Sequence, residues 1–412
     1  MTERGGFEAL DPCVHCGFCL QACPTFLATG DEADSPRGRI DLMRALEAGE
    51  LAPDDPALRL HLDRCLGCRG CEPVCPSGVG FGRGMEAARA LLATRRRPSA
   101  LARAALWALT SPGTSRTVYA LARMLRATGI PRRLAGWGRL RFAMGMLAAT
   151  KPTRNAKRGT RNRRAGPSSA FRVPTSALLF RGCVMDGLFA HVHDATIRTL
   201  QVNGYSLREV PEQVCCGALH AHAGLRAEAR LLARANVAAF GEGDEPIVVN
   251  SAGCGAMLKE YGHLVDAAGF TARVRDVTEL LAAGGGPRPG APVDVQVAYD
   301  PPCHLLHAQR IADEPLRVLA AIPVLRVMSL PDAAQCCGSA GLFTLLEPAM
   351  SRAVLAPKLA SLRTAAPQVV ATGNPGCLMQ LGAGLAAGGL STAVCHPVEL
   401  LDESYRAAGY YA

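Results

Sequence analysis

The sequence predicts an α+β multidomain chain of four parts: an α-helical, cysteine-rich N-terminal domain, a basic helical connector, and two duplicated α/β cysteine-rich domains. Three observations predict it. Eight of the seventeen cysteines form two copies of C-x2-C-x2-C-x3-C-P near the N-terminus. Eight more recur at matching spacings in the back half, and a block without a single carboxylate separates the two regions.

The first N-terminal copy is Cys13, Cys16, Cys19 and Cys23 before Pro24; the second is Cys65, Cys68, Cys71 and Cys75 before Pro76. A [4Fe–4S] cube needs four converging thiolates. In two-cluster proteins with this spacing, three come from one loop and the fourth, before proline, belongs to the other cube. The expected sets are therefore Cys13, Cys16, Cys19 with Cys75, and Cys65, Cys68, Cys71 with Cys23. Two [4Fe–4S] clusters are expected, drawn together by the crossed ligands, with a helical clamp over Arg39 to Glu47. Zinc sites usually show two CxxC pairs without the third cysteine and the Cys-Pro step. Disulfides need an oxidising compartment, yet Met1 to Pro12 carries acidic residues and no apolar core of a secretory signal. This domain is assigned to residues 1–94.

The connector is assigned to residues 95–172. From Arg95 to Arg172 there are nineteen Lys and Arg and no Asp or Glu, which leaves 26 basic against 35 acidic residues elsewhere. The overall charge of +10 thus divides into +19 here and −9 in the remainder. Ala100 to Trp107 and Val118 to Arg126 have the pattern of amphipathic helices, whereas Lys151 to Ser169 has a flexible composition. Anionic lipid attracts basic segments by about 1 kcal/mol per residue, so a third of the block would supply roughly 6 kcal/mol. A membrane surface or a partner is the expected contact, with an inert linker as the alternative. No nucleic-acid module accompanies the charge, and nucleic acid is not expected. No window forms a membrane-spanning helix. The uncharged stretch from Cys377 to Val398 is interrupted by Gly382, Gly384, Gly388 and Gly389, and is expected to be a helix, a glycine turn and a short strand.

In the back half, Cys183, Cys215, Cys216 and Cys254 are repeated as Cys303, Cys336, Cys337 and Cys377, at offsets of 120, 121 and 123 residues. A fixed offset of this kind marks an internal duplication. Apolar runs lead to the key cysteines, Ala177 to Gly182 before Cys183 and Val293 to Tyr299 before Cys303, and helical stretches such as Leu225 to Phe240 intervene. Alternating strand and helix implies parallel α/β sheets, whose ligands collect beyond the carboxyl ends of the strands. Gly284 to Gly286, flanked by Pro287 and Pro289, is taken as a linker, giving domains over 173–286 and 287–412. Four thiolates per copy suffice for one further iron–sulfur cluster or one zinc; inert packed cysteines are the alternative. His220, His222, His304 and His307 are expected to be structural, and Cys395 is expected to be a small buried apolar residue.

The paired Cys-Cys-Gly copies resemble the cysteine-rich (CCG) domains of heterodisulfide reductase and its relatives. There the motif ends in CxxC, whereas Ser251 and Asn374 occupy the first of those positions here. A closer resemblance is to the iron–sulfur subunit of bacterial glycolate dehydrogenase, also called glycolate oxidase. It rests on Cys13-Val14-His15-Cys16-Gly17-Phe18-Cys19, Ser35-Pro36-Arg37-Gly38-Arg39, Leu62-Asp63-Arg64-Cys65-Leu66-Gly67-Cys68, Ser251-Ala252-Gly253-Cys254-Gly255 and Cys336-Cys337-Gly338-Ser339-Ala340-Gly341. The resemblance implies an electron-transfer subunit that works with partner subunits, which bind FAD and oxidise glycolate to glyoxylate. It implies transfer toward quinone or another membrane acceptor, and a cytoplasmic location peripheral to the inner face of the cell inner membrane. No dinucleotide fingerprint and no hydroxy-acid base occur in the sequence, so FAD and catalytic residues are expected only on the partner. The same relay for lactate, glycerol 3-phosphate or succinate, or in a heterodisulfide reductase-like complex, is the first alternative; a metal-binding, nucleic-acid-associated regulator is a remote one.

Overall fold

The computed structural model describes residues 4–95, 98–150 and 175–411. Lys151 to Ser169, expected above to be flexible, lies outside the described residues.

The N-terminal domain is helical: α1 (Pro24–Thr29), α2 (Pro36–Ala48), α3 (Pro56–Asp63) and α4 (Phe81–Arg95). Proline opens the first three, at the position where the missing N–H is not needed. Ser35 and Asp55 cap α2 and α3 by accepting from the backbone N–H of Gly38 and Leu58. Ile40, Met43, Leu58, Leu62, Met85 and Ala88 form the core beneath the cysteine loops. At Gly38 a Cβ would come within 2.2 Å of the Glu32 carbonyl oxygen. Only glycine lets α2 begin so close to the preceding 3-10 turn, Glu32–Asp34, and this approach carries Arg39 to Cys23.

The connector forms α5 (Ala100–Thr110), α6 (Pro112–Ala127), α7 (Ile130–Leu134) and α8 (Arg139–Ala149). The expected helices at 100–107 and 118–126 fall within α5 and α6. The inner side of α6, like that of α8, packs on the back half.

The first cysteine-rich module contains β1 (Thr175–Phe180), α9 (Val184–Leu188), α10 (Ala190–Val202), β2 (Tyr205–Glu209), α11 (Ala218–His222) and α12 (Arg226–Phe240). It continues with β3 (Ile247–Val249), α13 (Ala252–Lys259), α14 (Ala268–Thr271), β4 (Val274–Asp276) and α15 (Val277–Ala282). The second contains β5 (Gln296–Tyr299), a π-helical turn at His304–Ala308, α16 (Asp313–Ala320), β6 (Arg326–Met328), α17 (Phe343–Leu346) and α18 (Pro348–Ala365). It ends with β7 (Val369–Ala371), α19 (Pro375–Ala387), β8 (Ala393–Cys395) and α20 (Pro397–Ala407). Each module has one four-stranded sheet, ordered β2-β1-β3-β4 and β6-β5-β7-β8, with every pairing parallel. The equivalent orders are the structural form of the repeat. β1, β3, β5 and β7 are apolar and buried over most of their length, as strands covered on both faces must be.

The stretch expected to be helix, glycine turn and strand is α19, Gly388-Gly389 and β8, with Cys395 buried in β8. One apolar core runs through both modules, from Val192 and Leu200 to Leu381 and Leu401. At its rim Arg198 of α10 holds Asp402 of α20 by two bonds of 2.7 and 2.8 Å. On the outside, α6 packs against α9 and α8 against α19. Among the described residues, no helix is long and apolar enough to cross a membrane.

Candidate functional site

The two N-terminal cysteine loops adopt one conformation twice. His15 and Gly67 occupy equivalent positions at φ 57° and 64°, and Gly17 and Arg69 at φ 84° and 59°. Left-handed backbone is disfavoured for His and Arg, so each loop is wound by its role and not by local preference. Winding of this kind turns backbone N–H groups toward the sulfurs, and Gly67 N–H donates to Cys65 Sγ at 3.4 Å.

Two adjacent cavities lie inside these loops. Cys13, Cys16, Cys19 and Cys75 line the outer one together with Val14, Phe18 and Arg37. Cys23, Cys65 and Cys68 line the inner one with Arg39 and Leu66, and Cys71 borders both. The outer loop is open to solvent: Cys16 is exposed, and Val14 and Phe18 are 68% and 67% exposed. The inner loop is enclosed. Burial pushes the thiols of Cys68 and Cys71 well above the ordinary value, and that of Cys19 up to about 11.

Arg39 is the inner site's buried cation. It is 1% exposed, and its guanidinium reaches Cys23 Sγ at 3.8 Å, Thr25 Oγ1 at 2.9 Å and the His61 carbonyl at 2.7 Å. Asp34, fully buried, pairs with Arg39, His61 and Arg64 at 3.0–3.2 Å. The Ser-Pro-Arg-Gly-Arg motif contained this residue, but nothing in its spacing tells Arg39, which is buried at Cys23, from Arg37, which pairs at the surface with Glu32.

In the back half, the four thiols of each module form a row. Cys183 and Cys215 are 3.6 Å apart and Cys216 and Cys254 3.4 Å; Cys303 and Cys336 are 4.0 Å apart and Cys337 and Cys377 3.1 Å. Gly217 and Gly338, at φ 84° and 83°, turn the chain sharply after each adjacent pair, which explains the glycine in both motifs. Cys183 donates to Cys215, and that bond, followed by the contact with Cys216, holds the Cys215 thiol well below its usual range. Cys303 is pushed well up, first by its bond to Cys336 and then by burial. Asn374 donates from Nδ2 to Cys377 Sγ at 3.5 Å and accepts at Oδ1 from Gly253 N–H at 3.2 Å. It therefore ties the second site to the first module. The sequence located Asn374 only as a missing cysteine.

The three regions converge. Cys68 and Leu66 pack with Cys303, Cys336 and Phe343 in one apolar cluster. His222 and His304 stack at 5.6 Å between the modules, near the inner loop at Gly67. Burial pushes the pKa of His304 down to about 3, and that of His222 also down. His220 is buried on α11, and His307 Nε2 is 2.9 Å from the Ala334 carbonyl.

The donor sets suit an iron–sulfur group better than a single ion. All sixteen motif cysteines are free thiols, and thiolate is the form that binds metal. A tetrahedral zinc with bonds of about 2.3 Å brings its sulfurs within about 3.8 Å of one another. Among the described residues, the one trio of potential metal-binding atoms within 4.8 Å of one another is Asp31, Asp34 and His61, with no cysteine in it. Arg39 and Arg64 already neutralise Asp34, so that trio is an ion-pair network. Wider sulfur frames, with buried thiols that need a cationic core to ionise, fit a polynuclear group.

Comparison with known proteins agrees with this chemistry. Residues 9–79 match the 4Fe-4S dicluster domain family, and residues 177–259 and 297–382 match the cysteine-rich domain family. The chain is 34% identical to a probable glycolate oxidase iron–sulfur subunit of Bacillus subtilis, over 99% of this chain and 96% of that protein. It is 31% identical to the glycolate oxidase iron–sulfur subunit of Escherichia coli, over 96% and 94%. Lactate utilization protein A of Geobacillus kaustophilus is 28% identical, over 54% of this chain and 97% of its own length. Near-complete coverage, two cysteine loops in a helical domain and a duplicated cysteine-rich module together show that the chain belongs to the glycolate oxidase iron–sulfur subunit family.

Proposed function

We propose that the chain is the electron-transfer subunit of a flavin-dependent glycolate-oxidising complex, carrying electrons from an FAD-bearing partner toward quinone or another acceptor at a membrane surface. The observation that carries this reading is the unbroken run of sulfur sites, from the exposed outer loop through the inner loop to Cys303. Cys13, Cys16, Cys19 and Cys75 would hold one [4Fe–4S] cluster, and Cys23, Cys65, Cys68 and Cys71 a second. The rows Cys183, Cys215, Cys216, Cys254 and Cys303, Cys336, Cys337, Cys377 would hold a further iron–sulfur group each. Such groups supply one-electron steps, which a flavin carrying two electrons requires of its acceptor.

This chain's residues supply position and environment. Val14 and Phe18 offer the partner a dry contact around exposed Cys16, where the distance to an outside donor is shortest. Arg39 offsets the negative charge of the inner sulfurs at Cys23. Leu66, Phe343 and Met350 exclude water between Cys68 and Cys303. The four parts correspond to residues 1–94, 95–172, 173–286 and 287–412. The lactate-oxidising alternative keeps the same relay and changes only the partner.

The test uses the complex purified without oxygen. Cys19→Ser and Cys68→Ser should each remove one low-temperature EPR signal and stop reduction of a quinone analogue, while glycolate still reduces the flavin. Quinone reduction at the wild-type rate in both variants would refute the relay.

A further inference from the structure

We infer that α5, α6, α7 and α8 form a lipid-docking face that seats the protein on an anionic membrane surface. This rests on the proposed membrane acceptor and names the surface that would meet it. Eighteen large apolar side chains are exposed among the described residues, and eight of them lie between Leu101 and Leu140. Leu101, Trp107, Leu121, Met124, Leu134 and Leu140 are 49–71% exposed. On α6, Leu121, Met124 and Leu125 follow i, i+3, i+4 spacing and so share one side of the helix. The four helices form a continuous layer, α5 on α6, α6 on α7 and α7 on α8.

The charges select the occupant. Arg103, Arg116, Arg132, Arg133, Arg139 and Arg141 are all exposed among these apolar groups, and the segment has no carboxylate. A second copy docking by the same face would set arginine against arginine with no counter-charge, because a two-fold contact matches a surface with itself. Anionic lipid instead supplies phosphate at the depth of the guanidinium groups and hydrocarbon below for Leu, Met and Trp. An indole at the headgroup level is also the usual membrane anchor.

The inner side of the same layer reaches a cysteine site. The Tyr119 ring covers Gly187, where a Cβ would lie 2.4 Å from the ring. Its hydroxyl donates to the Leu109 carbonyl at 3.1 Å, and Gly187 beneath the ring donates its N–H to the Cys183 carbonyl at 2.9 Å. Arg123 reaches the Gly187 carbonyl at 2.7 Å. One helix thickness therefore separates the lipid-facing side from the first Cys-Cys-Gly row.

The experiment is co-sedimentation of the full chain with vesicles of phosphatidylcholine alone and of phosphatidylcholine mixed with phosphatidylglycerol. The wild type should bind the anionic vesicles at low salt and not the neutral ones. Arg132→Gln with Arg133→Gln should lower the partition coefficient roughly thirty-fold. Leu121→Ser with Met124→Ser should lower it by roughly tenfold or more, and Leu231→Ser with Leu316→Ser, exposed apolar positions elsewhere, should leave it unchanged. Circular dichroism confirms that each variant is folded. Wild type that ignores anionic vesicles overturns both the lipid face and the membrane reading. Wild-type binding that neither connector variant weakens overturns this face and leaves the membrane reading standing. A connector variant that dissolves a dimer, without changing vesicle binding, assigns the face to a second copy and overturns the inference.

Discussion

Cys68, in the inner N-terminal loop, and Cys303, at the start of the π-helical turn after β5, share one apolar cluster although they come from different domains. The charge of Cys303 adds to burial in pushing the Cys68 thiol up. Whatever each sulfur holds, negative charge added at one is felt at the other, since Leu66, Phe343 and Met350 pack around both and apolar side chains screen charge weakly. The domain contact is thus an electrical junction as well as a packing one.

Cys303→Ser should therefore shift the midpoint potential of the inner N-terminal EPR signal and leave the outer signal, at Cys13, Cys16, Cys19 and Cys75, in place. Cys183→Ser, in the other module, is the control and should shift neither. Potentiometric EPR reads both. An inner signal indifferent to Cys303 would show that the junction carries no coupling.

Arg39→Met removes a buried cation at Cys23 and leaves Asp34 with one fewer partner. Breaking a buried ion pair from one side costs about 3 kcal/mol or more, so the melting temperature should fall. The inner signal should also move to lower potential, because reduction adds an electron where the positive charge has gone. Arg39→Lys keeps the charge and loses the forked bonds, and should lower stability with a smaller shift of potential. An unchanged potential in Arg39→Met would show that the guanidinium is purely structural.

The sequence made the fold legible because its signals are local. Repeat offsets, apolar runs ending at Cys183 and Cys303, and glycine after each cysteine pair are set by strand, helix and turn geometry. The family was legible for the same reason, through ordered motifs. Contacts between domains were not. No periodicity states that Leu66 will meet Phe343, or that His222 will stack on His304. Arg39 lies in a helix beside other arginines, and a charged residue there is usually at the surface; its burial follows from the close approach at Gly38. Tyr119 stood in a segment notable for charge, which concealed a side chain buried against Gly187.

The extended arrangement of the back-half sulfurs bears on metal content: paired thiols are 3.1–4.0 Å apart, yet among the described residues no three lie within 4.8 Å of one another. Protein prepared without oxygen should contain more than about eight irons per chain, the content of two cubes alone, with acid-labile sulfide in proportion and no stoichiometric zinc. Cys216→Ser and Cys337→Ser should each lower iron and sulfide together. Two equivalents of zinc with about eight irons would assign single ions to both rows and overturn the polynuclear reading.

The histidines set the response to acid. His193 on α10 uses both ring nitrogens in its neutral form: Nε2 donates to the Arg181 carbonyl at 2.9 Å, and Nδ1 accepts from Asn250 Nδ2 at 3.0 Å. Burial, aided by Arg181, pushes its pKa down to about 3; burial likewise brings His396 to about 3 and His191 to about 4. In the unfolded chain all three return to about 6.5. Between these values the unfolded chain binds more protons than the folded one, so their contribution is complete above about pH 6.5 and is lost as pH falls toward 3. Two buried carboxyls act in the opposite sense. Asp276, pushed up to about 6, and Glu399, pushed up to about 7, favour the fold when protonated and weaken it as pH rises through those values. His191 and Glu399 face each other at 3.4 Å and their opposite effects offset, so His193 and His396, each displaced further than Asp276, decide the sign. The metal-free chain should melt several degrees lower at about pH 5 than at about pH 7.5, by differential scanning fluorimetry at constant ionic strength. A higher melting temperature at the acid value would mean that the carboxyls dominate and that His193 is protonated within the fold.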